Sequence, residues 1–364
     1  MLLPEAATKG RTNLAGQVRG GGEDLPVLLH QERAFVVSPT GVQVIDLADG
    51  RVVGEETARG AVLREDADGF VLPPVLAGSE VLVPFLLTMP ASGTHTAGAM
   101  VELVAVSTAP PYKAAWRTTI KLPEWASKAS GKVKVAAVGA EGGAAVVTVT
   151  GSDGEAVSYG IDTVSHALRW TQPGLEAVHT GTGMAVGLLH AEPLTYIPIG
   201  VDLATGTEKW RGEKTYAAIM DAAGPDTVRI AGPQVDEGGD QLLDVTSGKA
   251  RATMPPGLRS FGCTYDRAST LVCTPGFAVV AVDAATGKQL WALKDGDGQG
   301  RTPPTVTAVW HGRVYGRGAG GPVVLDARTG ADMPTKPEVA PLLVNEFAGL
   351  VLDDNRLFSY PAGG

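Results

Sequence analysis

The chain has 364 residues, of which 44% are hydrophobic and only 19% are charged, and it contains 48 glycines and 25 prolines. This composition favours many short strands joined by tight turns over long solvent-facing helices. The net charge of −9 argues against a nucleic-acid partner, because such a partner requires a clustered basic face. We find no apolar run of the ~20 residues that span a bilayer and no signal peptide at the start, so any membrane anchor is expected to lie outside this sequence.

The first strand-like segment covers residues 12–19, and the first complete repeat begins at residues 25–29. An internal repeat then organises the chain: an apolar strand is followed by Asp, by Gly four residues later and, in some copies, by Trp eight residues after the Asp. Residues 201–210 (VDLATGTEKW) and 282–291 (VDAATGKQLW) carry all three, and 161–170 (IDTVSHALRW) has His166 in the glycine position.

Three further copies, at residues 45–50, 243–248 and 325–330, keep Asp and Gly but lack Trp, and residues 103–116 form a degenerate copy ending in Trp116. We therefore assign structural roles to the repeated positions. These are Asp46, Gly50, Asp162, Trp170, Asp202, Gly206, Trp210, Asp244, Gly248, Asp283, Gly287, Trp291, Asp326 and Gly330.

Each residue type in the repeat has a physical reason. An Asp with Thr or Ser caps a turn, and Gly adopts the positive φ that such a turn needs. The chain then enters an outer strand, on which a Trp ring can wedge against the neighbouring unit. Most anchors are about 40 residues apart, the length of a four-stranded propeller blade. Two longer gaps contain residues 88–100 and 123–131, which we expect to be loop insertions and the first place to look for a contact surface.

The C-terminus supplies only three strands of a last unit. We expect residues 12–19 to provide its missing outer strand, so that the ring closes. The sequence thus predicts an all-β, eight-bladed propeller of four-stranded antiparallel blades, with seven blades as the alternative if the degenerate copy is an insertion. We assign residues 1–24 to an N-terminal segment that contributes the closing strand and residues 25–364 to the propeller domain.

The two cysteines, Cys263 and Cys273, lie in short apolar segments on either side of a turn-like Asp266-Arg267-Ala268. If these segments pair as a hairpin, the two sulfurs face each other across adjacent strands and a disulfide is feasible. Such a bond would indicate an oxidising compartment. The alternative is two small buried residues without a bond between them.

The xDxxTGxxxW pattern, with its preceding apolar strand, resembles the pyrroloquinoline-quinone-like propeller repeat over nearly the whole chain. That family includes quinone-dependent alcohol dehydrogenases. It also includes non-catalytic members, such as the outer-membrane assembly lipoprotein of Gram-negative bacteria and the extracytoplasmic sensor regions of bacterial membrane proteins and kinases. The resemblance implies a bacterial protein that acts outside the cytoplasm.

The enzymatic members use adjacent cysteines stacked over the cofactor and a calcium-ligating set of carboxylates and amides with a catalytic Asp. Here the two cysteines are ten residues apart, and the only asparagines are Asn13, Asn345 and Asn355. We therefore expect no catalytic residues, no metal ligands and no cofactor, and keep pyrroloquinoline quinone and calcium as alternatives. Residues 65–69 and 294–300, with carboxylates at alternate positions, are the candidate calcium loops.

Trp125 falls outside the repeat in a segment that we expect to be a loop, where an exposed aromatic ring could serve as a binding anchor.

Together these features favour a non-catalytic, monomeric scaffold or sensor module outside the cytoplasm that binds a protein partner or small ligand. A funnel-sited enzyme acting on a quinone or sugar is the alternative function, and the cytoplasm is the alternative location.

Overall fold

The computed structural model describes residues 12–17, 25–63, 72–91, 93, 97–128, 133–152, 154–232, 239–256, 258, 262–296, 300–335, 337–354 and 356–362. Strands dominate the described part of the chain, and a single short helix interrupts them. The first ten elements are β1 (Thr12–Gln17), β2 (Val27–His30), β3 (Arg33–Ser38), β4 (Gly41–Asp46), β5 (Val52–Thr57), β6 (Val75–Ala77), β7 (Glu80–Met89), β8 (Gly98–Ser107), β9 (Ala114–Lys121) and α1 (Glu124–Lys128).

The middle of the chain forms β10 (Lys134–Glu141), β11 (Ala144–Thr150), β12 (Ala156–Asp162), β13 (Leu168–Pro173), β14 (Leu175–Gly181), β15 (Met184–Glu192), β16 (Thr195–Asp202), β17 (Glu208–Arg211), β18 (Thr215–Tyr216), β19 (Ile219–Ala222), β20 (Thr227–Ala231), β21 (Gln241–Asp244) and β22 (Ala250–Thr253). The last elements are β23 (Cys263–Tyr265), β24 (Thr270–Cys273), β25 (Ala278–Asp283), β26 (Gln289–Lys294), β27 (Thr305–Trp310), β28 (Arg313–Gly318), β29 (Gly321–Asp326), β30 (Leu343–Val344), β31 (Ala348–Asp353) and β32 (Arg356–Pro361).

These strands form eight antiparallel sheets, seven of them built from consecutive strands and the eighth completed by β1, so the prediction of eight blades is confirmed and the alternative of seven is wrong. Blades 1 to 8 begin at β2, β6, β10, β14, β19, β23, β27 and β30. The first strands of successive blades contact one another from β6 through β30, which places them at the centre of the ring. The predicted closure is also confirmed: β1 pairs with β32 as the outer strand of blade 8. Residues 1–11 and 18–24 of the N-terminal segment lie outside the described residues.

The hydrophobic core is divided into clusters that lie between blades, because each sheet buries apolar side chains on both faces. One cluster joins Leu82 of blade 2 to Val147 of blade 3, and the others repeat this arrangement around the ring. At the seam where the chain ends meet, Leu14 and Leu357 of blade 8 pack with Ile45 of blade 1. Closure is therefore stabilised by apolar burial as well as by backbone pairing.

Some local expectations were wrong. In the described chain, blade 7 has three strands, and its outer position holds only a bridge between Leu325 and Asp332. Residues 88–100 are not simply an inserted loop, because β7 and β8 extend into both ends of this segment. Residues 124–128 form α1 instead of a loop.

Alternation of strand direction sorts the turns onto two faces. The turns between first and second strands and between third and fourth strands leave one face of the ring, called here the motif face, because the Asp and Gly of each repeat lie there. Turns between second and third strands, and the connections between blades, leave the opposite face.

Candidate functional site

The repeat turn on the motif face is a closed hydrogen-bonded unit. In blade 4, Asp202 Oδ1 accepts from the backbone N–H of Thr205 at 2.9 Å and from its hydroxyl at 2.9 Å. The Gly206 N–H donates to the Asp202 carbonyl at 2.8 Å, with φ of 71° at the glycine. Only glycine adopts this left-handed conformation without steric cost, which explains the Asp-x3-Gly spacing.

The second carboxylate oxygen of each repeat Asp pairs with a cation of the same chain. In three blades the cation follows seven residues later, as in Asp162–Arg169, Asp202–Lys209 and Asp244–Arg251. In the other three it comes from elsewhere in the fold: Asp46 pairs with Arg33, Asp283 with Arg328 and Asp326 with Arg313. These six carboxylates therefore have structural partners on both oxygens.

Hydrogen bonding makes two of these carboxylates, Asp162 and Asp202, stronger acids. Backbone N–H groups of Ser165 and Val164, together with Arg169, hold the pKa of Asp162 well below its usual range. The Thr205 hydroxyl has the largest effect on Asp202 and likewise lowers its pKa. Both groups are ionised at neutral pH, as their ion pairs require.

The repeat tryptophans connect each blade to the next through two contacts. The indole Nε1–H of Trp170 donates to the Leu203 carbonyl of blade 4 at 2.9 Å, and Trp210 and Trp291 repeat this bond at 2.8 Å to the carbonyls of Val245 and Ala327. The ring also lies against the repeat glycine of the next blade. A methyl group placed on Gly206 would lie 2.6 Å from Trp170 Cγ. The glycine is thus required by its φ and by the ring beside it.

Blade 3 shows how the contact adapts when the glycine is replaced. His166 takes the same left-handed conformation, with φ of 61°, and its ring stacks on Trp116 of blade 2 with centroids 4.8 Å apart. The Trp116 indole donates instead to Glu80 Oε2 at 2.7 Å. The aromatic stack replaces the ring-to-glycine contact of the other blades.

Cys263 and Cys273 form a disulfide between β23 and β24, where they are directly opposed in the antiparallel register. Both residues are buried in the core between blades 5 and 6. The hairpin that the sequence suggested therefore brings the two sulfurs together.

An open cleft of about 250 Å³, called here the seam cleft, lies on the motif face, where blades 8, 1 and 2 meet. Three turns that are distant in sequence line it. The lining residues are Gln31, Glu32, Arg33, Thr108, Tyr112, Glu346 and Phe347. Both glutamates are exposed, and Phe347 exposes 38% of its surface, so the rim combines two carboxylates with an aromatic ring.

The floor of the cleft is held by partly buried polar contacts. Arg33 donates from Nε to the Tyr112 hydroxyl at 3.0 Å, and its Nη1 lies 2.9 Å from Asp46 Oδ2. The Tyr112 hydroxyl accepts this bond, so its own proton can be donated to a bound group. Arg33 Nη1 also lies 3.9 Å from Glu32 Oε2. The carboxylates of Asp46 and Glu32 outweigh this single cation, and Glu346 adds a third carboxylate, so the charge of the cleft is negative.

Buried Asn345 fixes the rim of the cleft. Its Oδ1 accepts from the backbone N–H groups of Phe347 and Ala348, each at 2.9 Å, and its Nδ2 donates to the Gln31 carbonyl at 2.8 Å. One side chain therefore joins the blade 8 turn to the blade 1 turn. Sequence reasoning used Asn345 only as one of three asparagines that argue against a calcium site, and it missed this cleft.

Trp125, the predicted binding anchor, lies on α1 at the opposite face and is half-buried against the core between blades 2 and 3. A methyl group on Gly151 would lie 3.1 Å from Trp125 Cζ3, so the ring packs beside the turn between β11 and β12. It does not lie near the seam cleft, and its binding role stays a prediction.

A second buried cluster was missed by the sequence. The fully buried Arg229 in blade 5 lies 3.1 Å from Asp240 and 3.4 Å from Asp221. A buried ion pair of this kind maintains blade geometry more than it adds stability.

Among the described residues there is no group of three or more His, Cys, Asp or Glu side chains placed to hold a metal ion. The candidate calcium loop at 65–69 lies outside those residues, as do residues 297–299 of the loop at 294–300. Within the described chain, no helix has the length and apolar character needed to cross a membrane.

No protein-family model and no curated protein matches the chain in sequence. Among solved structures it is similar to BamB from Moraxella catarrhalis, with a TM-score of 0.54, 14% identity and coverage of 96% of this chain and 99% of that one. It is also similar to a europium-containing methanol dehydrogenase, with a TM-score of 0.51, 10% identity and coverage of 91% and 82% of the two chains. At this level of identity the two likenesses concern the fold alone.

Proposed function

We propose that this propeller is a non-catalytic protein-binding scaffold that presents the seam cleft of blades 8, 1 and 2 to a cationic segment of a partner. The observation that carries this proposal is the rim of the cleft, where two exposed carboxylates and the exposed Phe347 line the same opening above a hydrogen-bonded floor. A rigid ring with functional groups on its turns is suited to recognition.

Charge complementarity favours a cationic group as the occupant. The side chain of Glu32 is 67% exposed, Glu346 is also exposed, and the whole chain carries a net charge of −9. An arginine or lysine side chain over the Phe347 ring would gain about 0.5–1 kcal/mol from a cation–π interaction at such an exposed site. The two carboxylates would add attraction and fix its orientation.

Preorganisation supports the same proposal. Asn345 already holds the turns on both sides of the cleft, and Arg33 Nε already donates to the Tyr112 hydroxyl. Binding of a partner segment would therefore lose little free energy to ordering of the cleft residues.

The proposal extends to the location of the protein. The Cys263–Cys273 disulfide supports a compartment that is oxidising, because disulfides persist there and are rare in the cytosol. We accordingly favour an extracytoplasmic scaffold, which acts as a monomer because a closed ring leaves only short strand edges.

The alternative function is a quinone-dependent enzyme, and the likeness to a methanol dehydrogenase is the reason to test it. One fold serves both classes, so the fold does not decide between them. Titration with pyrroloquinoline quinone, with and without calcium, tests this alternative. The absence of binding heat and of any change in the quinone spectrum agrees with the scaffold, whereas saturable binding with a spectral shift contradicts it.

The scaffold itself is tested by selecting peptides from a random display library against the folded protein. Peptides that bind the seam cleft are expected to be rich in Arg or Lys and to lose binding to the variant Phe347→Ala/Glu346→Gln. The matched control is Phe277→Ala, which removes a phenylalanine that is 88% exposed on the opposite face. Peptides without basic residues, or peptides that bind both variants equally, would contradict the assignment of the cleft.

A further inference from the structure

A second feature, independent of the seam cleft, lies on the opposite face between blades 3 and 4. The His190 ring has an acceptor at each nitrogen: Nδ1 lies 2.8 Å from the Gly154 carbonyl, and Nε2 lies 2.8 Å from Glu176 Oε2. A neutral imidazole has only one N–H, whereas an imidazolium has two. Both contacts are hydrogen bonds only if the ring carries both protons, because a glutamic acid is a stronger acid than an imidazolium and leaves the proton on the ring.

These two acceptors belong to different blades. Gly154 lies in the turn that joins β11 to β12 in blade 3, and Glu176 lies on β14, the innermost strand of blade 4. We propose that His190 is a pH-dependent latch, which when protonated ties the blade 3 turn to blade 4 and when deprotonated releases one of the two contacts.

The surroundings of the ring support this role. The ring of Tyr196, on the adjacent strand β16, meets His190 edge-on with centroids 4.8 Å apart. Two other carboxylates lie on the neighbouring elements: Glu192 pairs with Lys214 at 3.0 Å, and the Glu155 carboxylate lies beside Gly151 in the blade 3 turn. Glu176 is therefore the carboxylate that stabilises the imidazolium.

The direction of the titration agrees with the geometry. Burial alone would lower the pKa of His190, but the hydrogen bonds to Glu176 and to the Gly154 carbonyl, with the negative charge of Glu176, raise it overall. Since the usual imidazole pKa is about 6.5, release falls within the near-neutral range in which a protein can sense pH.

The turn that the latch holds also contacts Trp125. The blade 3 turn is closed by a hydrogen bond from Gly151 N–H to the Glu155 carbonyl at 2.8 Å, and Gly151 packs beside the Trp125 ring. Release of Gly154 would therefore loosen the turn on which this half-buried aromatic residue rests.

The same blade provides a matched control. His179, on β14, has a single acceptor, the Pro225 carbonyl at 3.1 Å from Nε2, so one proton satisfies it. Its burial, the largest effect, lowers its pKa. Two histidines of one blade thus have opposite expected protonation states near neutral pH.

The test is ¹⁵N NMR of the histidine ring nitrogens between pH 5 and 9, with backbone hydrogen exchange of residues 151, 152, 154 and 155 corrected for intrinsic rates. We expect both His190 nitrogens to be protonated at pH 6.5, with a midpoint above that value, and turn exchange to rise at least several-fold as the ring deprotonates. Glu176→Gln should lower the midpoint, whereas His179→Gln should leave it in place.

Three results would overturn the latch: a neutral His190 tautomer at pH 6, a midpoint that Glu176→Gln does not change, or hydrogen exchange of the turn that does not change as His190 titrates. The wild-type spectrum decides the protonation state by itself, so the proposal stays falsifiable even if a variant fails to fold.

Discussion

Replacing Gly248 by alanine tests the contact between the repeat glycine and the tryptophan of the preceding blade. The glycine has φ of 67°, a conformation that costs an L-residue about 1–2 kcal/mol. The added methyl group would also lie 2.4 Å from Trp210 Cε3, and overpacking of this kind costs about 1–3 kcal/mol. We therefore expect Gly248→Ala to lower the free energy of unfolding by about 2–5 kcal/mol.

A control variant and a double mutant separate the two contributions. Gly78 has φ of 62° with no atom within 4 Å of an added methyl group, so Gly78→Ala should lose only the conformational part. In a Trp210→Ala background, Gly248→Ala should cost no more than Gly78→Ala, and the cycle should give a coupling energy of about 1–3 kcal/mol. Urea unfolding followed by circular dichroism measures the wild type and the four variants. Equal losses for Gly78→Ala and Gly248→Ala would refute the steric argument.

Three further predictions concern other parts of the ring. Arg229→Met should cost about 3–5 kcal/mol of unfolding free energy in urea titrations, because it leaves the buried Asp240 carboxylate without its cation, and a loss below 1 kcal/mol would contradict this. Replacing Cys263 and Cys273 by serine opens a loop of 10 residues and should cost about 2–3 kcal/mol by the same measurement. An unchanged urea midpoint would show that the backbone pairing of β23 with β24 stabilises this hairpin without the disulfide. In melting curves against pH, the stability from His190 is full below its unfolded pKa near 6.5 and is lost as pH rises through its raised folded value. His179, whose folded pKa is lowered, instead reduces stability as pH falls below about 6.5, so His179→Gln should remove part of that acid loss.

Local chemistry made much of the ring predictable from sequence. The Asp-x3-Gly turn, the tryptophan four residues later and the spacing near 40 residues each follow from contacts within a blade or between adjacent blades. The closing strand was predictable because the last unit visibly lacked one. The loop assignment failed at α1, where Glu124 begins a single helical turn. At residues 88–100 it missed the ends of two strands, because β7 continues to Met89 and β8 begins at Gly98.

The cleft was hidden for a different reason. Its rim depends on Asn345 reaching the Gln31 carbonyl, two residues that are 314 positions apart in sequence. Nothing in either turn marks this contact, since it exists only after the ring has closed. The His190 latch likewise depends on a carbonyl from one blade and a carboxylate from the next.

The measurement that tests the proposed scaffold most directly is an NMR titration of the full chain at low salt with three short peptides, acetyl-Gly-Arg-Gly-amide and its Gln and Glu counterparts. The seam cleft predicts saturable shifts of the Phe347, Glu32 and Glu346 resonances with the arginine peptide alone, and their loss in Glu32→Gln/Glu346→Gln. Shifts of equal size with all three peptides, or shifts that the double variant keeps, would contradict a cleft that recognises a cationic side chain.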